Sequence, residues 1–251
     1  MNLVAKSNRQ KGFTLIELML AMGFISVLLL AIAMTIIQIG TVYNKGLSLK
    51  EVNQASRDIA TDVRKSLSAA DGIDLLTDYV EIKNDSNTAV AGGRICLGSY
   101  SYIWNTLGAM GEIDKPSDDD SHLTRFESDT NKIVQLVKVP DPSKIYCAKQ
   151  TTGGLTYPNI RAADTAVAQE LVSQGDHSLS ITKVSLTGSS TAKDDAIHQA
   201  LFTFNFTLGT GSITAMNANQ SKCLAANQAN SDLAYCNVVQ FSLVVRAGSG
   251  V

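Results

Sequence analysis

The chain has 251 residues, 45% of them hydrophobic and 18% charged, with 21 Lys and Arg against 23 Asp and Glu. That balance excludes a disordered chain, which would be too polar to bury a core. A net charge of −2 excludes a general nucleic-acid binder, which needs a basic face. With 4 Pro and 18 Gly, collagen-like and proline-rich low complexity are excluded as well. Most of the excess hydrophobicity lies in one stretch near the N-terminus.

Residues 1–12 carry Lys6, Arg9 and Lys11 and no acid. The stretch 13–40 comes next, with Glu17 its single charge, and Leu18–Ile37 gives 20 consecutive uncharged, mainly apolar residues. That is the length of a membrane-spanning helix, and the basic flank predicts a cytoplasmic N-terminus with the rest of the chain exported. A secretory signal peptide would have a shorter apolar core followed by a small-residue cleavage site, whereas here Gly12 comes before the run. A bland single-pass anchor accounts for the hydropathy but leaves Glu17 unexplained, because a carboxylate in such a helix is costly without a partner.

Lys11-Gly12-Phe13-Thr14-Leu15-Ile16-Glu17, followed by an unbroken apolar run, resembles the cleavage and methylation signature of type IV pilins and type II secretion pseudopilins. The likeness covers residues 11 to about 40. It implies that prepilin peptidase cuts after Gly12, where a side chain would obstruct it, and that Phe13 becomes the N-methylated mature N-terminus. It also implies that Glu17 pairs with the free amine of a neighbouring subunit during assembly. Opposite charges in low dielectric attract strongly and either one alone is expensive, so such a pair would set register.

Beyond Gly40, Val42, Leu49, Val52, Ile59, Val63 and Leu67 recur at 7, 3, 7, 4 and 4 residues, tracing one helical face among charged residues. With no proline before Pro116, a single helix from Thr14 to Ala70 is predicted, roughly 85 Å at 1.5 Å per residue. Many major pilins carry a proline in the apolar run; this chain has none, and it is longer than a typical major pilin. The charged segment from Arg57-Asp58-Ile59 through Arg64-Lys65 to Ala69-Ala70-Asp71-Gly72-Ile73 resembles the J-type minor pseudopilins.

Asp71-Gly72 ends the helix, and the pattern then changes to short strand-like runs: Asp78–Lys83, Arg94–Trp104, Lys132–Val139, Lys144–Ala148, Leu179–Leu186, Leu201–Leu208 and Val238–Val245. Phe202, Phe204, Phe206 and Leu208 alternate with polar residues, and Val239, Phe241, Leu243 and Val245 repeat the pattern. Ile160, Ala163, Val167 and Leu171 are helically spaced. These elements predict an α+β fold, a long N-terminal helix packed on a mostly antiparallel β-sheet head. The domains expected are a leader (1–12), a transmembrane and assembly helix (13–40), an amphipathic stalk (41–70) and an exported head (71–251).

Gly92-Gly93, Gly153-Gly154 and Gly209-Thr210-Gly211 read as turns, without phosphate-loop spacing. Asp118-Asp119-Asp120 lacks the alternating acids and closing Glu of a calcium loop and reads as a solvated run. Three Asn-X-Ser/Thr sequons, at Asn84, Asn205 and Asn219, read as chance in a chain resembling a bacterial pilin.

Four cysteines lie on the exported side, Cys96, Cys147, Cys223 and Cys236, with three pairings open. Cys223 and Cys236 enclose 12 residues rich in turn formers, so local closure is easy. Cys96 and Cys147 sit in strand-like runs and could join neighbouring segments. Disulfides are preferred to zinc, since there is no CxxC pair and no His beside a Cys.

An enzyme would need a site. His122, His177 and His198 are scattered, and Ser99 in Leu97-Gly98-Ser99-Tyr100-Ser101 lacks the final Gly of a nucleophile elbow. Tyr100, Tyr102 and Trp104 alternate along one run and could form a stacking surface for an adhesin or DNA-capturing tip subunit, although packing against the stalk is the better reading. Arg94 alone makes no basic patch. The resemblance implies a non-enzymatic filament subunit without cofactor or metal, a minor pilin of a type IV pilus or else a type II secretion or competence pseudopilin. Its implied partners are other pilins, prepilin peptidase and an inner-membrane platform with a cytoplasmic ATPase. Its implied location is the cytoplasmic membrane and then a surface or periplasmic filament.

Overall fold

A computed structural model of the chain describes residues 12–70, 72–84, 89–111, 122–150, 157–172, 179–188, 200–210 and 213–247. It divides into two units, residues 1–43 and 44–251. Helix α1 (Leu15–Ser68) runs unbroken for 54 residues, ending just before Gly72, whose φ of +127° suits glycine and disfavours other residues. From Leu15 to Ile39 every side chain is exposed in the single chain. Ser26 donates to the Met22 carbonyl at 2.8 Å and Thr35 to that of Ala31 at 2.8 Å, so these hydroxyls within the apolar run are satisfied inside the helix.

In the second unit one face of α1 is buried: Ser48, Val52, Ser56, Ile59, Val63 and Leu67, at steps of four, four, three, four and four residues. Val42 and Leu49, which the apolar pattern put on this face, are exposed. Ser48 and Ser56 are buried on this face instead.

Five strands form an antiparallel sheet in the order β1-β2-β3-β6-β7: β1 (Tyr79–Lys83), β2 (Val90–Cys96), β3 (Tyr100–Asn105), β6 (Leu136–Pro140) and β7 (Gln169–Glu170). Between β3 and β6 lie α2 (Leu107–Gly111) and a small hairpin, β4 (Arg125–Phe126) with β5 (Asp129–Ile133). A second antiparallel sheet, ordered β10-β9-β8, joins β8 (Ser180–Gly188), β9 (Ala200–Gly209) and β10 (Val238–Ala247). The predicted α+β class, a long N-terminal helix with antiparallel sheets in a pilin-like architecture, is the one found.

One core cluster contains the α1 face (Val52, Ile59, Val63, Leu67), Tyr102, Trp104 and Leu136 of the five-stranded sheet, and Val184, Leu186, Phe204 and Phe206 of the other. The five-stranded sheet is buried on its opposite face too, where Cys96, Ile103, Val137 and Val139 meet Phe126, Tyr146 and Ile160. Alternation along β3 distributes these residues, Tyr102 and Trp104 to one cluster and Ile103 to the other.

Four local expectations are corrected. Arg94–Trp104 is not one strand: it turns at Gly98, φ +82°, with the Leu97 N–H donating to the Tyr100 carbonyl at 2.9 Å. Gly92-Gly93 is no turn but lies inside β2, where a Cβ on Gly93 would stand 2.4 Å from the Trp104 ring. Lys144–Ala148 holds a 3-10 turn (Ile145–Cys147) because the buried Asp141 carboxylate accepts the Ile145 and Tyr146 N–H groups at 2.9 and 3.2 Å. Nor is Ile160–Leu171 a helix. Ile160 exchanges main-chain bonds with the β4 hairpin, Leu171 bonds to Leu136, and Val167 is exposed.

Candidate functional site

The N-terminal segment is built around Thr14. Its hydroxyl accepts the Glu17 N–H at 3.4 Å, while Glu17 Oε2 accepts the Thr14 N–H at 2.9 Å and the Thr14 hydroxyl at 2.8 Å. This is a reciprocal capping box, spelled Thr14-Leu15-Ile16-Glu17, that satisfies donors otherwise orphaned at the start of α1. Sequence reasoning assigned Glu17 to an intersubunit pair and missed its local partner, although a Thr three residues before a Glu ahead of an apolar run is the signal for it. Gly12 and Phe13 precede the box and are exposed. A Cβ on Gly12 would meet nothing within 4 Å, so packing in the chain's own fold makes no demand for glycine there.

The second unit fastens α1 by two polar clusters. At one, the Ser48 hydroxyl lies 3.2 Å from that of Thr210, donates to the Tyr235 carbonyl at 3.1 Å and accepts Asn237 Nδ2 at 2.9 Å. Thr210 also donates to the Tyr235 carbonyl. At the other, the Tyr102 hydroxyl bonds Asp62 and Ser66 at 2.7 Å each, and Lys138 Nζ reaches Asp62 at 2.8 Å. Burial pushes the Tyr102 pKa up, so it stays a neutral donor.

The four cysteines pair as Cys96–Cys147, tying the end of β2 to the 3-10 turn, and Cys223–Cys236, closing the loop before β10. Deeper in the head, Arg94 is 1% exposed and ion-pairs with no carboxylate among the described residues. Nη1 donates to the carbonyls of Tyr146 and Pro158 at 2.9 and 2.7 Å, and Nη2 to the Thr124 hydroxyl at 3.0 Å. Desolvation lowers its pKa, partly opposed by Tyr157 and Tyr146.

The residues considered for chemistry are not brought together. Tyr102 and Trp104 are buried against α1 and Tyr79, and of the proposed stacking surface only Tyr100 is exposed, with Lys138 Nζ 4.3 Å from its ring centre. Ser99 lies in the β2–β3 turn and is apart from His122 in sequence and element. His177, His198, Gly153-Gly154 and Asp118-Asp119-Asp120 lie outside the described residues. Among the described residues no group of three or more His, Cys, Asp or Glu is placed to hold a metal.

No curated protein and no solved structure matches the chain. A family model described as the prokaryotic N-terminal methylation motif matches residues 7–37, the segment that contains Gly12, Phe13 and the capping box. α1 is long and apolar enough to cross a membrane. The chain thus carries, on residues 7–37, the prokaryotic N-terminal methylation motif, the signature of a type IV pilin-like or pseudopilin-like substrate of prepilin peptidase.

Proposed function

We propose that the chain is a minor pilin or pseudopilin, a non-enzymatic filament subunit that is cleaved after Gly12, methylated on Phe13 and assembled through α1. The observation that carries this reading is the joining of the motif to a helix of two characters. The matched segment opens a helix whose first 25 residues expose apolar side chains throughout, while its later residues are clasped into a folded head. So much bare apolar surface needs a bilayer or neighbouring helices to cover it. Residues 1–12 are then the leader, 13–40 the membrane and assembly helix, 41–70 the stalk and 71–251 the exported head. The charged helix end from Arg57 to Lys65 supports placement among the J-type minor subunits, in a type IV pilus or alternatively in a secretion or competence filament. The adhesin reading loses its support where Tyr102 and Trp104 are buried.

The test is mass spectrometry of the chain in sheared filaments. An N-terminus at N-methyl-Phe13 is the expected result. Chain that still begins at Met1 in assembled filaments would overturn the reading.

A further inference from the structure

Tyr235 lies against the first turns of α1 in the second unit. Its main-chain carbonyl accepts the Ser48 hydroxyl at 3.1 Å and its phenolic oxygen accepts Asn44 Nδ2 at 3.1 Å, so the side chain reaches from position 48 back towards position 44. Even so, 44% of it is exposed. Leu47, which neighbours Asn44 on the helix surface at three residues' separation, is exposed as well, and so is Leu233 in the same turn as Tyr235. That turn is rigid: Asp232 accepts the Ala234 and Tyr235 N–H groups at 3.1 and 2.9 Å, and the Cys223–Cys236 disulfide closes it. An apolar collar with a hydroxyl at its rim is thus held in place by a cap, a disulfide and two bonds to the helix.

The sequence leading into Asn44 has the composition of a membrane boundary. Asn44 directly succeeds Tyr43, an exposed aromatic six residues beyond the end of the apolar run at Ile37. Gly40–Lys50 contains Lys45 and Lys50 and no acid, and the one acid between Cys223 and Cys236, Asp232, is occupied as the cap. Tyrosines concentrate where hydrocarbon gives way to headgroups, with the ring in the apolar layer and the hydroxyl wet, and lysines there meet lipid phosphates.

We propose that Tyr235, Leu47 and Leu233 form a lipid-interface contact by which the head rests on the phospholipid surface before the subunit is assembled. This rests on the reading of α1 as a membrane anchor. The Cys223–Cys236 loop is then a membrane-facing element, and its burial in lipid is exchanged for contacts with neighbouring subunits on extraction into a filament.

The test uses the full chain reconstituted into phosphatidylethanolamine–phosphatidylglycerol vesicles, with brominated acyl chains as quencher. Tyr235→Trp and, separately, Leu47→Trp serve as reporters above the constant background of buried Trp104; two reporters guard against a folding defect in either. Both should lose emission to lipid brominated near the headgroups, while Leu76→Trp, 91% exposed and away from the collar, should not. Leu28→Trp, within the apolar run, reports the anchor. If Leu28→Trp is unquenched, the anchor reading fails and this contact with it. If Leu28→Trp is quenched while the Tyr235 and Leu47 reporters match Leu76→Trp, the contact alone is overturned. A reporter response that tracks protein-to-lipid ratio rather than bromine would assign the collar to a second copy of the chain and equally overturn the proposal.

Discussion

The guanidinium of Arg94 donates to the main-chain carbonyl of Tyr146 at 2.9 Å, so a central strand grips a turn 52 residues further along the chain. The same side chain holds Pro158 and Thr124, joining three loops through one buried cation. Removing it would leave two carbonyls and a hydroxyl without their donor. Arg94→Met should therefore lower unfolding stability by about 3 kcal/mol. Arg94→Lys should recover little, because one ammonium cannot reproduce the fork that spans three acceptors. Urea unfolding of the detergent-solubilised chain measures both; wild-type stability in the lysine variant would contradict this account.

The two disulfides differ in what they close. Cys96–Cys147 spans 51 residues and sits in the second core cluster, whereas Cys223–Cys236 spans 13 in a more exposed loop. In the chain-entropy treatment the longer loop contributes about 1 kcal/mol more. Paired Cys→Ala replacement at 96 and 147 should consequently cost more than at 223 and 236, each within about 2–5 kcal/mol. Equal losses, read from denaturant midpoints, would mean that loop length is not what decides.

Asp164 gives the head an acid-sensitive contact. The Tyr146 hydroxyl donates to it at 2.5 Å and Arg161 Nε at 2.8 Å, and these bonds, led by the tyrosine's, hold its carboxyl below the ordinary 3.8. A depressed carboxylate pKa means that the unfolded chain takes up the proton first. Its stabilisation is thus complete above the unfolded value and is lost as pH falls through the folded one. Arg161 is half-exposed, so solvent screening keeps the contribution of the ion pair small. In Asp164→Asn the fall in Tm from about pH 5 to pH 3 should be shallower than in wild type. A parallel fall in both proteins would remove Asp164 from the explanation.

On the proposed reading, processing should depend on Gly12. The open space around it means that Gly12→Val is tolerated by the chain's own packing, so its effect would report on the proposed cleavage. Leader removal should stop, leaving a membrane-bound chain that is 12 residues longer by mass spectrometry and has a head as protease-resistant as wild type. Normal maturation of the variant would place the cleavage elsewhere.

What could be read from the sequence was what side-chain chemistry writes in one dimension. The run from Lys11 to Glu17, the apolar stretch after it and the Phe202-Phe204-Phe206 alternation all carry their meaning at fixed spacing, and β9 and β10 lie where that alternation put them. What was hidden depends on partners distant in sequence. Ser48 and Ser56 are invisible to a pattern of apolar residues, because a buried serine looks polar until Thr210, Tyr235 and Asn237 are seen around Ser48. Lys144–Ala148 looks extended because nothing in its own composition tells that Asp141 caps it. Helical spacing at Ile160–Leu171 is overridden by main-chain pairing with β4 and β6. The Thr14–Glu17 box is different: its spacing is legible, but the resemblance to pilins directs attention to an intersubunit role for Glu17 and masks the local one.

The observed capping role of Glu17 and the assembly role proposed for it can be separated. As one half of a capping box it needs an oxygen that accepts the Thr14 N–H; as the partner of a neighbouring subunit's amine it needs a negative charge. Glu17→Gln keeps the acceptor oxygen and removes the charge, Thr14→Ala removes the hydroxyl half of the box and keeps the charge, and Glu17→Ala removes both. If charge drives assembly, Gln and Ala at position 17 should both reduce incorporation sharply, while Thr14→Ala should assemble nearly as well as wild type. If the helix start is what assembly requires, Thr14→Ala and Glu17→Ala should be defective and Glu17→Gln close to normal. The first pattern is expected, because the Thr14 N–H still donates to the Glu17 carboxylate when the hydroxyl is lost, whereas an amine arriving in low dielectric has no substitute for that carboxylate. All three variants should insert in the membrane and lose the leader, which immunoblots of membrane fractions would check. Quantitative immunoblots of sheared filaments would then decide between the two patterns, and normal incorporation of all three would deprive Glu17 of any part in assembly.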